Sequence, residues 1–268
     1  YQWTKNLLIF APLVFAEQLS HVDQVFRSIV AFACFCAASS ATYLLNDVHD
    51  REQDSLHPEK RNRPIASGAL PVPAALLIAA VLLAAGALVA YYLAPAFMLA
   101  LLCYLILTTA YTFKLKHVII VDVLTIAIGF VIRAMAGALA LDVAFSNWLV
   151  VCTLFLALFL GLSKRRHEIE LMEKGAIDHR KVLAEYSTQF IDALLIIVAG
   201  GALITYTIYT CSPEVVDRLG TDKLYLTLPF VVYGLFRYFE LIHLDRKFDV
   251  GNPSKTLLKD WRIGLTVS

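Results

Sequence analysis

The sequence predicts an all-α protein, a polytopic transmembrane helix bundle with eight visible spans. Three observations predict it. Of its 268 residues, 59% are hydrophobic and only 17% charged, with a mean hydropathy of +0.68, whereas an ordinary soluble domain carries about 25% charged residues. Apolar stretches of helical length recur along the whole chain, and in lipid such stretches must be helices, because an open sheet edge leaves backbone groups unpaired. Finally, the polar connections between them alternate in charge.

The apolar stretches fall at 7–20, 24–45, 71–93, 96–113, 118–141, 146–162, 189–211 and 223–243. The first is short, and residues 263–267 turn apolar again, where a ninth helix is expected to begin. All but five of the 23 Lys and Arg residues lie in connections on one face; the exceptions are Arg27, Arg218 and Lys223 on the other face and Arg133 and Arg237 inside helices. Such a bias places the basic face in the cytoplasm, and a missed span would scramble the alternation. The expectation is one transmembrane domain over 1–268, multi-pass in an inner (plasma) membrane of bacterial type. Its cytoplasmic polar loops are expected near 46–70, 111–122 and 163–187. The partner these features ask for is the lipid bilayer; the net charge of +1 is uninformative as a total, no nucleic-acid partner is expected, and a homo-oligomer is left open. Cys34, Cys36, Cys103, Cys152 and Cys211 show no ligand spacing and read as small hydrophobes.

Segment 46–54 reads Asn-Asp-Val-His-Asp-Arg-Glu-Gln-Asp. If the preceding helix runs through it, Asn46, Asp50, Asp54 and Asp47 fall within about 100° of one face. Three carboxylates and an amide oxygen on one face suit a hard cation, and Mg²⁺ commonly takes one or two carboxylates together with substrate phosphate oxygens. Glu52 points elsewhere and reads as a solvated charge. Lys60, Arg61 and Arg63 follow within ten residues of the last carboxylate. Cations beside a metal site suit a polyanion, Arg as a fork and Lys as a point charge. The plain alternative is a salt-bridged basic loop at the membrane edge. His49 and His57 lack the further nitrogen or sulfur partners that a zinc site would want.

In the second polar segment Lys116 precedes Asp122 by six residues, and Asp122 opens an apolar helix that also holds Arg133. Ionisable groups in membrane helices are costly and usually face the bundle interior. Asp122 is therefore expected to ligate metal or substrate, or else to form an interhelical ion pair. Arg133 lies on nearly the same helix face about 16 Å further along, where it would bind an anion or pair with another buried group. In the third segment Lys164, Arg165 and Arg180 are candidate phosphate contacts, although basic residues there could equally meet anionic lipid headgroups.

These residues resemble the UbiA superfamily of intramembrane transferases. The likeness is carried by Asn46, Asp50 and Asp54 in an Asn-x-x-x-Asp-x-x-x-Asp pattern, by Arg63, Pro64 and Gly68 after it, and by Tyr111, Lys116 and Asp122 in the second motif region. The resemblance implies nine helices around a cavity with two polar regions that bind a Mg²⁺-diphosphate. One departure is informative. Prenyltransferases of the superfamily carry Asp-x-x-x-Asp in the second motif, whereas here Asp122 is followed four residues later by Ile126. Other stretches, among them Gln-Trp-Thr-Lys-Asn at 2–6, His-Pro-Glu-Lys at 57–60 and Leu-Lys-His at 115–117, resemble its decaprenyl-phosphate phosphoribosyltransferase branch. That branch implies transfer of 5-phosphoribose from phosphoribosyl diphosphate to a polyprenyl phosphate, feeding arabinan synthesis in the cell envelope. By this resemblance Asp47, Asp50 and Asp54 are catalytic and hold Mg²⁺ with Asn46 and Asp122. Lys5 and Asn6 guide the acceptor phosphate. Lys60, Arg63, Tyr111, Lys116, Arg133, Lys164, Arg165 and Arg180 bind substrate.

Three other readings compete. A prenyltransferase would use the same metal site with a prenyl diphosphate. A transporter predicts ionisable groups along a path across the membrane, whereas here they gather on one face. A CDP-alcohol phosphotransferase would open its motif Asp-Gly-x-x-Ala-Arg, which the chain lacks.

Overall fold

The computed structural model describes residues 2–56, 60–144, 146–173, 185–244, 260 and 262. Seven helices among them are long and apolar enough to cross a membrane. In chain order the α-helices are α1 (Ala11–Phe15), α2 (Val22–His49), α3 (Arg51–Leu56), α4 (Val72–Leu93), α5 (Pro95–Phe113), α6 (Val121–Leu141), α7 (Asn147–Glu173), α8 (Thr188–Cys211), α9 (Pro213–Leu219) and α10 (Leu228–His243). Seven of the eight expected spans are thus present. The first differs: Gln2–Phe10 winds as a 3-10 helix, α1 adds little more than a turn, and Glu17 then adopts a left-handed φ of 55°. Residues 263–268, where a ninth helix was expected to begin, lie outside the described residues.

Local chemistry sets the boundaries. Proline occupies the first turn of α4, α9 and α10 and begins α5, a position where its missing N–H costs nothing. Ser187 caps α8 by accepting the Phe190 N–H at 3.1 Å. Helix α7 runs eleven residues past the expected end of its apolar stretch. The polar residues at its end pair along the helix, Lys164 and Arg165 with Glu168 and Arg166 with Glu170, spacings that favour helix.

The chain divides into two compact units: 1–113 with 132–145, and 114–131 with 146–268. In the first, α2 packs along α4 through Ala31, Ala38, Ala75, Ala79 and Gly86, small residues that let membrane helices approach closely. Its core gathers Ile9, Phe35, Phe97, Leu101 and Tyr104. The N-terminal segment lies directly on α6: a Cβ at Gly137 would stand 2.2 Å from the Ile9 carbonyl oxygen. Arg27 donates to the carbonyls of Leu93 and Ala140 at 3.1 and 2.9 Å. It thereby caps the ends of α4 and α6, whose partial negative charge favours a cation. In the second unit α7 packs on α8, with Phe159, Ile191, Leu195, Tyr238 and Leu241 at the centre. Leu76, Leu77, Ile78 and Val81 on α4, and Ile196, Ile197 and Ile204 on α8, are exposed, an apolar surface that suits lipid.

Candidate active site

The first acidic segment keeps its helical register through a bend. Helix α2 ends at His49 and α3 begins at Arg51. Between them, Asp50 N–H donates to the Asn46 carbonyl and Asp54 N–H to the Asp50 carbonyl, both at 2.8 Å. Asn46, Asp50 and Asp54 therefore follow one another a turn apart, as the spacing predicts. The Asn46 amide nitrogen donates to Asp50 Oδ2 at 3.1 Å. One nitrogen of Arg63, Nη1, donates to Asp47 Oδ1 and to Asp54 Oδ2 at 2.8 Å each, and Lys60 Nζ stands 3.8 Å from Asp54 Oδ1. Asp54 is buried, while Asp47, Asp50 and Arg63 are partly exposed. The basic loop thus folds back onto the carboxylates that precede it.

Among the described residues no three His, Cys, Asp or Glu side chains stand ready to hold a metal ion. The donors nonetheless fit a hard divalent cation, since Asp47, Asp50, Asp54 and the Asn46 amide offer oxygen ligands. Two of the carboxylates already converge on a single positive nitrogen. Behind this cluster, Val48, His49, Arg51, Glu52 and Ser55, with Ala66 and Val72, line a polar groove of about 720 Å³.

A second polar cluster in the same unit contains three of the expected residues. Arg133 is buried and donates through Nε to Asn6 Oδ1 at 2.9 Å and through Nη2 to the Tyr104 hydroxyl at 2.8 Å. Its guanidinium carbon lies 4.6 Å from the centre of the Tyr104 ring, close enough for a cation–π contact. Asn6, wholly buried, reaches Cys36 and Ser39, and the Ser39 and Tyr104 hydroxyls lie 3.2 Å apart. Lys5 donates to the Tyr43 hydroxyl at 3.4 Å. Tyr111 ends α5, partly buried.

In the second unit Asp122 is wholly buried. It accepts from Arg165 Nε through Oδ2 at 2.8 Å and from the Tyr186 hydroxyl through Oδ1 at 2.7 Å. The Tyr186 oxygen in turn accepts the Ile120 N–H at 2.6 Å. Ile120 has a φ of 67°, a left-handed conformation that costs a non-glycine residue about 1–3 kcal/mol. Burial, and then the hydrogen bond to Asp122, hold the Tyr186 phenol above its ordinary range, so it remains a donor. Lys116 lies in the turn Leu115–His117, partly buried, and Lys164 is exposed and paired with Glu168. Arg180 lies outside the described residues, as do His57 and the rest of 174–184 in the third segment. Tyr104, Ser39 and Tyr186 carry no motif signature. Each is found only by asking which side chains satisfy the buried Arg133 and Asp122.

The UbiA prenyltransferase family model matches residues 7–249. The chain belongs to the UbiA prenyltransferase family. With its seven candidate spans it is a multi-pass membrane transferase. Among curated relatives, a decaprenyl-phosphate phosphoribosyltransferase of Mycolicibacterium smegmatis is 32% identical over 270 residues, 97% of this chain and 84% of the relative. One from Mycobacterium tuberculosis is 34% identical over 263 residues, 97% of this chain and 85% of the relative. A solved UbiA homolog from Archaeoglobus fulgidus, bound to DMAPP and Mg²⁺, superposes with a TM-score of 0.73 at 17% identity, over 99% of this UbiA-family chain and 93% of its own. That likeness shows the fold.

Proposed function

We propose that the protein transfers 5-phosphoribose from phosphoribosyl diphosphate to a polyprenyl phosphate such as decaprenyl phosphate, with Mg²⁺ at the first acidic segment on the cytoplasmic side of a bacterial inner membrane. The observation that carries the reading is the convergence of Asp47 and Asp54 on Arg63. It sits in a chain similar over 97% of its length to relatives that bear that name. Relatives named for this reaction favour phosphoribosyl over prenyl diphosphate, as does the apolar Ile126 where the prenyltransferase pattern has a second carboxylate.

Asp47, Asp50, Asp54 and Asn46 would hold the ion. Asp122 enters that set only by giving up Arg165 or Tyr186. Bound magnesium supplies neutralisation of the negative charge on the departing diphosphate. Arg63 and Lys60 can release their carboxylates to the metal and turn to phosphate oxygens, where a guanidinium fork and an ammonium both bind well. Tyr111, Lys116, Lys164 and Arg180 are further candidates for phosphate contact, whereas buried Arg165 is engaged by Asp122 and Glu168. Arg133, Asn6 and Lys5 hold the acceptor's phosphate. An acceptor oxygen attacks the anomeric carbon as the bond to diphosphate breaks, and the bonding electrons leave with diphosphate. A lipid phosphate is ionised at neutral pH, so no side chain need remove a proton.

Membranes carrying the protein are incubated with labelled phosphoribosyl diphosphate, decaprenyl phosphate and Mg²⁺, and the lipid extract is resolved. Labelled phosphoribosyl lipid that disappears with chelator is expected. Turnover of a prenyl diphosphate, with none from phosphoribosyl diphosphate, would overturn the reading.

A further inference from the structure

The second motif offers a carboxylate where the family reading expects a ligand, but its surroundings are those of a structural joint. Asp122 is wholly inaccessible, and each of its oxygens accepts from a protein donor. Those donors come from separate parts of the second unit: Arg165 from α7, and Tyr186 from just before α8. Tyr186 also takes the Ile120 N–H, from the strained turn that leads into α6. Its ring stacks with Phe190, in the first turn of α8, at 6.3 Å. Residues 120–122, α7 and the start of α8 are thus tied together at one carboxylate.

We infer that Asp122 is the hub of a clamp rather than a metal ligand, and that Tyr186 and Arg165 are positioning residues which fix the second and third polar segments. Two lysines gain from this. Lys116 lies four residues before Ile120, and Lys164 adjoins Arg165 on α7. Holding Asp122 sets where both ammonium groups stand for donor phosphates. The absence of a second carboxylate at Ile126 fits the same role, since a clamp needs one acceptor and a metal site gains from two. The inference rests on the proposed phosphoribosyl transfer only for its kinetic readout.

The test uses the purified full chain in lipid nanodiscs. Mn²⁺ binding in the presence of inorganic diphosphate is followed by electron paramagnetic resonance for the wild type, Asp50→Asn, Asp122→Asn and Tyr186→Phe. Asp50→Asn is expected to weaken Mn²⁺ about tenfold or more, while Asp122→Asn and Tyr186→Phe stay within about twofold of the wild type. In steady-state assays Tyr186→Phe should raise the donor KM about tenfold with kcat changed less than about threefold. Combining it with Asp122→Asn should cost no more than the larger single effect, because both break one joint. Mn²⁺ weakened by Asp122→Asn as much as by Asp50→Asn would overturn the clamp. So would a loss in Tyr186→Phe confined to kcat. If Asp122→Asn does not fold, Tyr186→Phe decides alone. Should the wild type turn over no phosphoribosyl diphosphate, the functional reading fails, while the Mn²⁺ comparison still decides the clamp.

Discussion

Asp47 and Asp54 share one nitrogen of a partly exposed arginine at a helix bend, whereas Asp122 is sealed in its unit between an arginine and a tyrosine. Both regions are acidic motifs at helix ends, and both are paired with guanidinium. They differ in what the pairing leaves accessible. Around Arg63, exchange with water and substrate is open, and an arriving cation can displace the guanidinium at modest cost. Around Asp122, separating the partners would strand a buried charge. The same residue types therefore suit chemistry in one place and architecture in the other, and burial decides which.

The comparison breaks first if Asp122 proves dispensable for folding. Asp122→Ala removes one of the two carboxylates that hold buried Arg165 and leaves Tyr186 without its acceptor, and stability should fall by about 3 kcal/mol, read by thermal unfolding in detergent. No change in unfolding would place Asp122 among the exchangeable carboxylates. On the other side, Asp50→Asn should cut transfer about 100-fold or more while leaving the unfolding temperature close to the wild type, and Asp54→Asn, at a buried carboxylate paired with Arg63, should cut transfer likewise and also lower the unfolding temperature. Product assays and melting on the same preparations check the split.

A third test asks whether the metal segment works independently of the Arg133 cluster. Gly137→Ala drives a Cβ to 2.2 Å from the Ile9 carbonyl, so the N-terminal segment must shift and draw Asn6 from Arg133. A loss of about 1–3 kcal/mol is expected. The KM for polyprenyl phosphate should rise while the Mg²⁺ dependence stays unchanged. The smallest effect is expected for Arg63→Lys. An ammonium keeps the charge but loses the fork, so the donor KM should rise about tenfold with activity retained; an inactive variant would give Arg63 a larger part than phosphate contact.

Much of this was legible in residue order. The spans of α2 and α4–α8 follow from apolar length. The approach of the basic loop to the carboxylates follows from its position within ten residues of Asp54. Local hydrogen bonding through Asp50 preserves the phasing that made Asn46, Asp50 and Asp54 a set. The first apolar stretch is present as a short helix, and mean hydropathy does not register its 3-10 winding or the left-handed residue at Glu17. The polar end of α7 reads as a loop by charge alone, while the i,i+4 pairing of those same charges stabilises it as helix.

The sequence by itself determined that the chain lives in lipid, which of its connections carry the charge and which segment offers oxygen ligands, because solvent preference and helical phase are local properties. The tertiary structure alone decided that Arg133 meets Asn6 across 127 residues and Asp122 meets Arg165 across 43 and Tyr186 across 64. A buried charge takes whatever donor or acceptor the packing brings to it. That choice is made by helices far apart in the chain, so no spacing rule records it.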